Sequence, residues 1–131
     1  MRHDEFIGKV QALTRLPDRG SSERATRAVL STLAERLPSG LAGHVAAQLP
    51  PTLASPMRET TPGERFDLTT FAGRIAGRAE TDEDAAVREA AAVLEVLDAA
   101  LTPELTEKVA AALPKDIGGL LPVGRAAEDA D

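Results

Sequence analysis

Two histidines are the side chains in this sequence best suited to bind a metal ion or to transfer protons near neutral pH. His3 lies in the N-terminal tail, and His44 lies one residue from an apolar stripe. No His-x-x-x-His or Glu-x-x-His spacing occurs, so neither histidine has a partner at metal-binding distance along a helix. We interpret His44 as a solvent-exposed histidine at the edge of a helix face, and we predict no metal site and no cofactor.

Four carboxylates cluster at Glu80, Asp82, Glu83 and Asp84. A calcium-binding loop that began at Asp82 would need a glutamate at its twelfth position, where this sequence has Val93. We therefore interpret the cluster as negative charge that stabilises the start of a helix. The sequence also lacks cysteine, a Gly-x-Ser-x-Gly elbow and a phosphate-binding loop. We predict no catalytic residues and expect that the chain is not an enzyme.

Arginines at positions 15, 19, 24 and 27 form a local basic patch. The isoelectric point is near 4.9, and Trp and Tyr are absent, so no aromatic platform accompanies the patch. We expect no nucleic-acid partner. The patch is instead interpreted as a solvated face in which Glu23 pairs with Arg27 at i, i+4 spacing.

Hydropathy and charge indicate the expected cellular compartment and the kind of partner. No apolar run is long enough to cross a bilayer, and the N-terminus has no signal-peptide pattern, so we expect a cytoplasmic protein with no membrane partner. Residues 1–65 carry a net charge of +2 (nine basic, seven acidic), and residues 66–131 carry −8 (six basic, fourteen acidic). Such asymmetry can orient a partner protein or a second copy of the chain.

The elements that must position these residues repeat along the chain. At an offset of 64, residues 28–50 are identical to residues 92–114 at 11 of 23 positions. Earlier in the chain, Phe6-Ile7-Gly8 aligns with Phe71-Ala72-Gly73 at an offset of 65. The shared residues follow helical spacing, as in Leu41, Val45 and Leu49. We infer an internal duplication of one helical unit.

The predicted fold is an all-α helical bundle made of two tandem three-helix repeats, related by a pseudo-two-fold axis. The predicted boundaries are repeat one at 4–57, a linker at 58–66, repeat two at 67–121 and a flexible acidic tail at 122–131. Residues 52–57 and 116–121 are expected to add at most a short turn each. Because one unit cannot cover its own apolar faces, we expect the two units to bury them against each other.

Local patterns predict the helix starts and the buried face of the first helix. Phe6, Val10 and Leu13 fall on one apolar stripe, with Ile7 beside it. The expected N-terminal caps are Asp4 for the first helix, Ser21 or Ser22 for the second, Asp67 or Thr69 for the first helix of repeat two, and Thr81 for its second helix.

Two segments carry a resemblance to a known family. These are Ala28-Val29-Leu30-Ser31-Thr32-Leu33-Ala34-Glu35-Arg36-Leu37 and His44-Val45-Ala46-Ala47-Gln48-Leu49-Pro50, followed by a degenerate second copy. The chain resembles the bacterial family known as domain of unknown function 2267. The resemblance implies a helical fold and a bacterial origin, and it brings no activity, substrate or catalytic residue.

The second copy keeps the apolar pattern and loses three polar residues of the first. Arg36, His44 and Gln48 become Ala100, Lys108 and Ala112, so these three are our candidate surface-interaction residues. We expect a non-catalytic module for protein interaction or self-association. The alternative is a small-ligand or sensor domain with a pocket between the repeats, lined by Phe6, Leu33, Phe71 and Leu97. A third hypothesis is an enzyme that uses carboxylates near His44 and Arg36.

Overall fold

The structure is a computed structural model that describes residues 1–129, and the side chains through residue 126. The described part is helical throughout and contains no strand, which confirms the predicted all-α class. The helices are α1 (His3–Thr14), α2 (Arg19–Arg36), α3 (Ser39–Ala47), α4 (Pro51–Arg58), α5 (Leu68–Ala79), α6 (Glu83–Ala100), α7 (Pro103–Ala112), α8 (Lys115–Gly118) and α9 (Pro122–Asp129).

The helices fall into two series of similar lengths. α1 to α4 contain 12, 18, 9 and 8 residues, and α5 to α8 contain 12, 18, 10 and 4. Each series therefore has four helices, where we had expected three and a short turn. The pseudo-two-fold axis itself stays a prediction.

Leucine–proline pairs make the corners between helices. Pro38, Pro50 and Pro114 cap the helices that follow them, each with a ψ near 150°. Proline has no amide hydrogen to continue the preceding helix, and it disfavours helical geometry in the residue before it. The leucines before them, Leu37, Leu49 and Leu113, are buried. Each corner therefore ends one helix, starts the next and places an apolar anchor in the core.

Aspartates, and not the expected hydroxyls, cap the two long helices. Asp18 accepts a hydrogen bond from the Ser21 amide, and Asp82 accepts one from the Ala85 amide, so the predicted Ser21, Ser22 and Thr81 caps are wrong. α2 therefore begins earlier than expected and α6 begins one residue later, because in each helix the aspartate carboxylate satisfies an amide of the first turn. The predicted Asp4 cap is also wrong, since Asp4 lies inside α1. Asp67 caps α5, as predicted.

A single apolar core contains residues of both helix series. α1 packs against α2 and α6, and α5 packs against the same two helices, which also contact each other. Phe6 from α1 and Phe71 from α5 are fully buried in this core, together with Leu33 and Leu97. Because the first helix of each series contacts both long helices, neither series buries its apolar residues alone.

One prediction about exposure is wrong, and part of the predicted tail is helical. Leu13 belongs to the apolar stripe of α1 in sequence, but its side chain is 51% exposed, since it lies one residue before the end of the helix. Residues 122–129 of the predicted flexible tail form α9, which contacts α7. Pro122 suits the first turn of that helix, and Val123 packs against the core. Residues 130 and 131 lie outside the described part of the chain. No helix within residues 1–129 combines the length and the apolar character that a membrane crossing needs.

The shared core predicts that neither half folds alone. If the chain is cut after residue 62, the fragment that contains Phe6 lacks α6, and the fragment that contains Phe71 lacks α2. We therefore expect neither fragment to show a cooperative thermal transition by circular dichroism. Mixing the two fragments in equal amounts should restore helical signal and a transition. A cooperative transition in either isolated fragment would show that its core is independent.

Candidate functional site

A groove of about 1130 Å³ runs along the outer face of α2. α4 and the segment after it form one wall, and Arg78 of α5 contributes to the other side. The lining residues from α2 recur every three or four positions, which places them on one side of the helix. They are Gly20, Glu23, Arg24, Arg27, Ala28, Ser31 and Glu35.

The lining is mostly polar. The wall formed by α4 and the segment after it supplies the hydroxyl groups of Thr52, Ser55, Thr60 and Thr61 and the carboxylates of Glu59 and Glu64, and it also includes Pro56. Fifteen residues separate Gly20 from Glu35. At 1.5 Å per residue the helix face is about 22 Å long. The groove is therefore elongated, and it offers both hydrogen-bond donors and acceptors along its length.

Glu35 closes one end of the groove through ion pairs with α5. Arg78 donates from its two terminal nitrogens to the two Glu35 oxygens at 2.7 and 2.9 Å, and Arg74 donates to Glu35 at 3.2 Å. The Glu35 side chain is only 15% exposed. These bonds, first of all those from Arg78, hold the pKa of the Glu35 carboxyl below its ordinary value. The groove end is thus built from both helix series.

The segment between α4 and α5 is fixed against the end of α2. The amides of Gly63 and Glu64 donate to the carbonyls of Leu37 and Glu35, at 2.9 and 2.8 Å. Gly63 has a φ of 94°, a conformation that glycine adopts without a steric cost. Arg36 donates to the carbonyl of Phe66 at 2.9 Å. These contacts hold in place the wall formed by α4 and the segment after it.

Phe66 is also held from α5. The Arg74 guanidinium lies 4.3 Å from the centre of the Phe66 ring, close enough for a cation–π interaction. Arg74 pairs with Glu64 as well, and this bond, together with the one to Glu35, raises the pKa of Arg74. The same arginine therefore joins α2, α5 and the connecting segment.

His3 lies at the other end of the groove, and not in a tail. It is the first residue of α1, its Nδ1 lies 2.8 Å from the Thr52 hydroxyl, and its Nε2 lies 3.4 Å from a Glu23 oxygen. Glu23 also pairs with Arg19, at 3.4 Å. The predicted Glu23–Arg27 pair is wrong, because Glu23 turns toward α1. Among the described residues, Arg27 has no carboxylate within ion-pairing distance.

The three candidate surface residues do not form one site. Arg36 binds the connecting segment, as described above. The Gln48 side-chain oxygen accepts a hydrogen bond from the Thr102 amide at 3.0 Å, so Gln48 satisfies the start of α7. The His44 side chain is exposed and makes no hydrogen bond to the described residues. Gln48 thus joins the two helix series, and Arg36 joins α2 to the segment between them.

The groove was missed in the sequence, although a signal for it exists. Five of the seven α2 lining residues differ in type from the residues 64 positions later on α6. Those five positions are occupied by Asp84, Val87, Ala91, Glu95 and Ala99. Among the buried residues of α2, Ala28, Val29, Leu30 and Leu33 are identical to their counterparts on α6. Comparing exposed positions between the repeats would have indicated this face of α2.

Glu89 of α6 is a buried acid outside the groove. The residue is 8% exposed, and one of its carboxylate oxygens has no hydrogen-bond partner in the described structure. Burial raises the pKa of the Glu89 carboxyl, because a charged group is costly to remove from water. At the start of the same helix, the Asp82 carboxylate caps the backbone. Within residues 1–129, no three His, Asp or Glu side chains gather where a metal ion could bind.

Comparison with protein families identifies the family of the chain. A family model described as an uncharacterised conserved protein, DUF2267, matches residues 3–120. The chain belongs to the DUF2267 family. The match confirms the expected family, and it spans α1 to α8, including every residue that lines the groove. The curated proteins contain no match. Membership of DUF2267 therefore establishes kinship and leaves function to be argued from the site.

The Glu35 pairs predict a pH-dependent loss of stability. The lowered pKa means that ionised Glu35 stabilises the fold above its unfolded-state pKa, and that this stability is lost as pH falls through the folded-state pKa. In urea denaturation at about pH 7, Glu35→Gln should lower the free energy of unfolding by about 1–2 kcal/mol. The difference should shrink at about pH 3.

The matched control is Glu95→Gln, an exposed glutamate on α6 with no ion pair among the described residues. We expect no measurable change for that variant. Equal losses for Glu35→Gln and Glu95→Gln would contradict the assigned role of Glu35.

Proposed function

We propose that this protein is a non-catalytic module that binds an extended segment of a partner protein in the α2 groove. The observation that carries the proposal is the shape of the groove, about 22 Å long with a volume of about 1130 Å³. An extended chain rises about 3.3 Å per residue, so the groove matches a segment of about six or seven residues. A compact small molecule would leave much of that length empty.

The lining chemistry also favours a peptide. An extended peptide exposes amide donors and carbonyl acceptors along its whole length. The groove presents hydroxyl groups, which can donate and accept, together with guanidinium and carboxylate groups. Partners of this kind can satisfy a peptide backbone without a strongly apolar contact. The groove walls are held by hydrogen bonds and ion pairs before binding, which lowers the entropic cost of association.

The small-ligand alternative receives less support. The four residues expected to line a pocket between the repeats, Phe6, Leu33, Phe71 and Leu97, are all fully buried in the shared core. The groove lies on the opposite side of α2 and is lined by polar residues. A ligand between the repeats would therefore have to displace core packing.

Catalysis has one arrangement in its favour, the contacts of His3 with Thr52 and Glu23. A hydroxyl that contacts an imidazole, which in turn contacts a carboxylate, is the arrangement of a hydrolase triad. Here the carboxylate contact is long, at 3.4 Å, and Glu23 also serves Arg19. We assign these contacts to docking the start of α1 onto α2 and α4. The hypothesis of an enzyme built around His44 and Arg36 receives less support, because Arg36 donates a hydrogen bond to the Phe66 carbonyl.

We further propose that the protein acts in the bacterial cytoplasm, with a protein partner and without nucleic acid or membrane. The acidic composition and the absence of aromatic side chains from the groove disfavour nucleic acid as the partner.

Blocking the groove should abolish binding. Peptides of about seven residues, selected by phage display against the full chain, should bind with a dissociation constant in the micromolar range. Ser31→Trp places an indole in the middle of the groove, so it should weaken these peptides at least about tenfold in fluorescence anisotropy. Glu95→Trp, the equivalent substitution on the exposed face of α6, should leave affinity unchanged.

Two results would contradict the proposal. The first is a failure to enrich any peptide whose binding is sensitive to Ser31→Trp. The second is hydrolysis of the bound peptide that Thr52→Val abolishes, because that would make the module catalytic.

A further inference from the structure

We infer that the segment bound in the groove carries one central acidic residue, whose carboxylate pairs with Arg27. This inference rests on the proposed function, and it adds the chemical specificity of the same site. Arg27 lies near the midpoint of the α2 face that runs from Gly20 to Glu35, and its side chain is exposed. Any extended segment that fills the groove must pass over it.

The charges that line the groove are satisfied unequally. Arg78 is neutralised by two hydrogen bonds to Glu35. Arg24 lies 3.5 Å from a Glu80 oxygen. Arg27 alone among the three lining arginines has no carboxylate partner among the described residues. A guanidinium with free donors in a defined groove pairs best with a carboxylate that it can bind through two nitrogens.

Of the four lining carboxylates, all but Glu59 have a basic partner among the described residues. Glu23 pairs with Arg19 and His3, Glu64 pairs with Arg74, and Glu59 accepts a hydrogen bond from Ser55. They make the groove unfavourable for a ligand that is negative along its whole length, such as a nucleic acid. One acid near the centre, with uncharged or basic residues on either side, fits this distribution of charge.

Ser31 adds a hydroxyl one helical turn after Arg27, on the same face of α2. The Ser31 hydroxyl donates its hydrogen to the Ala28 carbonyl at 3.2 Å, so the Arg27 guanidinium supplies the donors for a carboxylate over this part of the helix. The second repeat has the opposite chemistry. Ala91 and Glu95 occupy the positions on α6 that are equivalent to Arg27 and Ser31, so the central cation of the first repeat is replaced by an alanine with a negative charge one turn later. The preference is therefore specific to the first repeat.

The experiment uses the peptides selected against the full chain. We expect a single Asp or Glu to be enriched near the centre of the selected sequences. Replacing that residue by Asn or Gln in a synthetic peptide should weaken binding to the unmodified chain about tenfold. Arg27→Glu should weaken the acidic peptide at least as much, and it should improve binding of the same peptide with Lys at the central position.

Lys108→Glu is the matched control, because it makes the same change in net charge at an exposed position on α7. We expect the acidic peptide to bind this variant as it binds the original chain. Circular dichroism should show that Arg27→Glu is folded, since the side chain is exposed. If the reversed charge does unfold the chain, Arg27→Gln provides the test, with an expected loss of about tenfold.

The outcomes separate this inference from the proposed function. Peptides that bind in a Ser31→Trp-sensitive manner, yet show no acidic preference and tolerate both Arg27 variants, would overturn the inference and leave the groove as a peptide site. Failure of Ser31→Trp to affect any peptide would overturn the proposed function itself. A random single-stranded oligonucleotide that binds more tightly than the acidic peptide, in an Arg27-dependent manner, would overturn the assignment of a protein partner.

Discussion

The reciprocal packing of α1 and α5 against both long helices is the contact on which the rest of this structure depends. Phe6 and Phe71 are fully buried because each lies on a helix that touches α2 and α6 together. A unit of about 50 residues has too little interior to cover its apolar faces alone. Sharing a core solves that problem, and it fixes the positions of α2 and α6 relative to each other.

The groove is a consequence of this shared core. α2 buries one side against α5 and α6, and another against α4, which leaves its outer face open between the two walls. One end is completed by Arg78, a residue of the second repeat, through its pair with Glu35 on the first. The site therefore requires both repeats to be docked, although most of its lining belongs to the first.

The sequence predicted the fold well and the site poorly, for physical reasons. Apolar spacing and Leu-Pro pairs record local rules, so helices appear where those patterns occur. The acidic composition of the last ten residues hid α9, which depends on packing by Val123. Arg36 and Gln48 looked like free surface residues because their partners, Phe66 and Thr102, lie 30 and 54 positions away. The one trace of the groove in the sequence is the difference between exposed positions of α2 and their counterparts on α6, and it appears only when the two helices are compared.

Native-state amide hydrogen exchange tests the shared core most directly, because it measures the opening free energy of each helix within the intact chain. If the two repeats form one cooperative unit, the slowest amides of α2 and α6 should exchange with the same free energy, within about 0.5 kcal/mol, and that value should equal the free energy of global unfolding. The contrary result is an opening free energy for the slowest amides of one repeat that lies about 2 kcal/mol or more below the value for the other repeat. That result would show that the repeats unfold independently, and it would contradict the shared core.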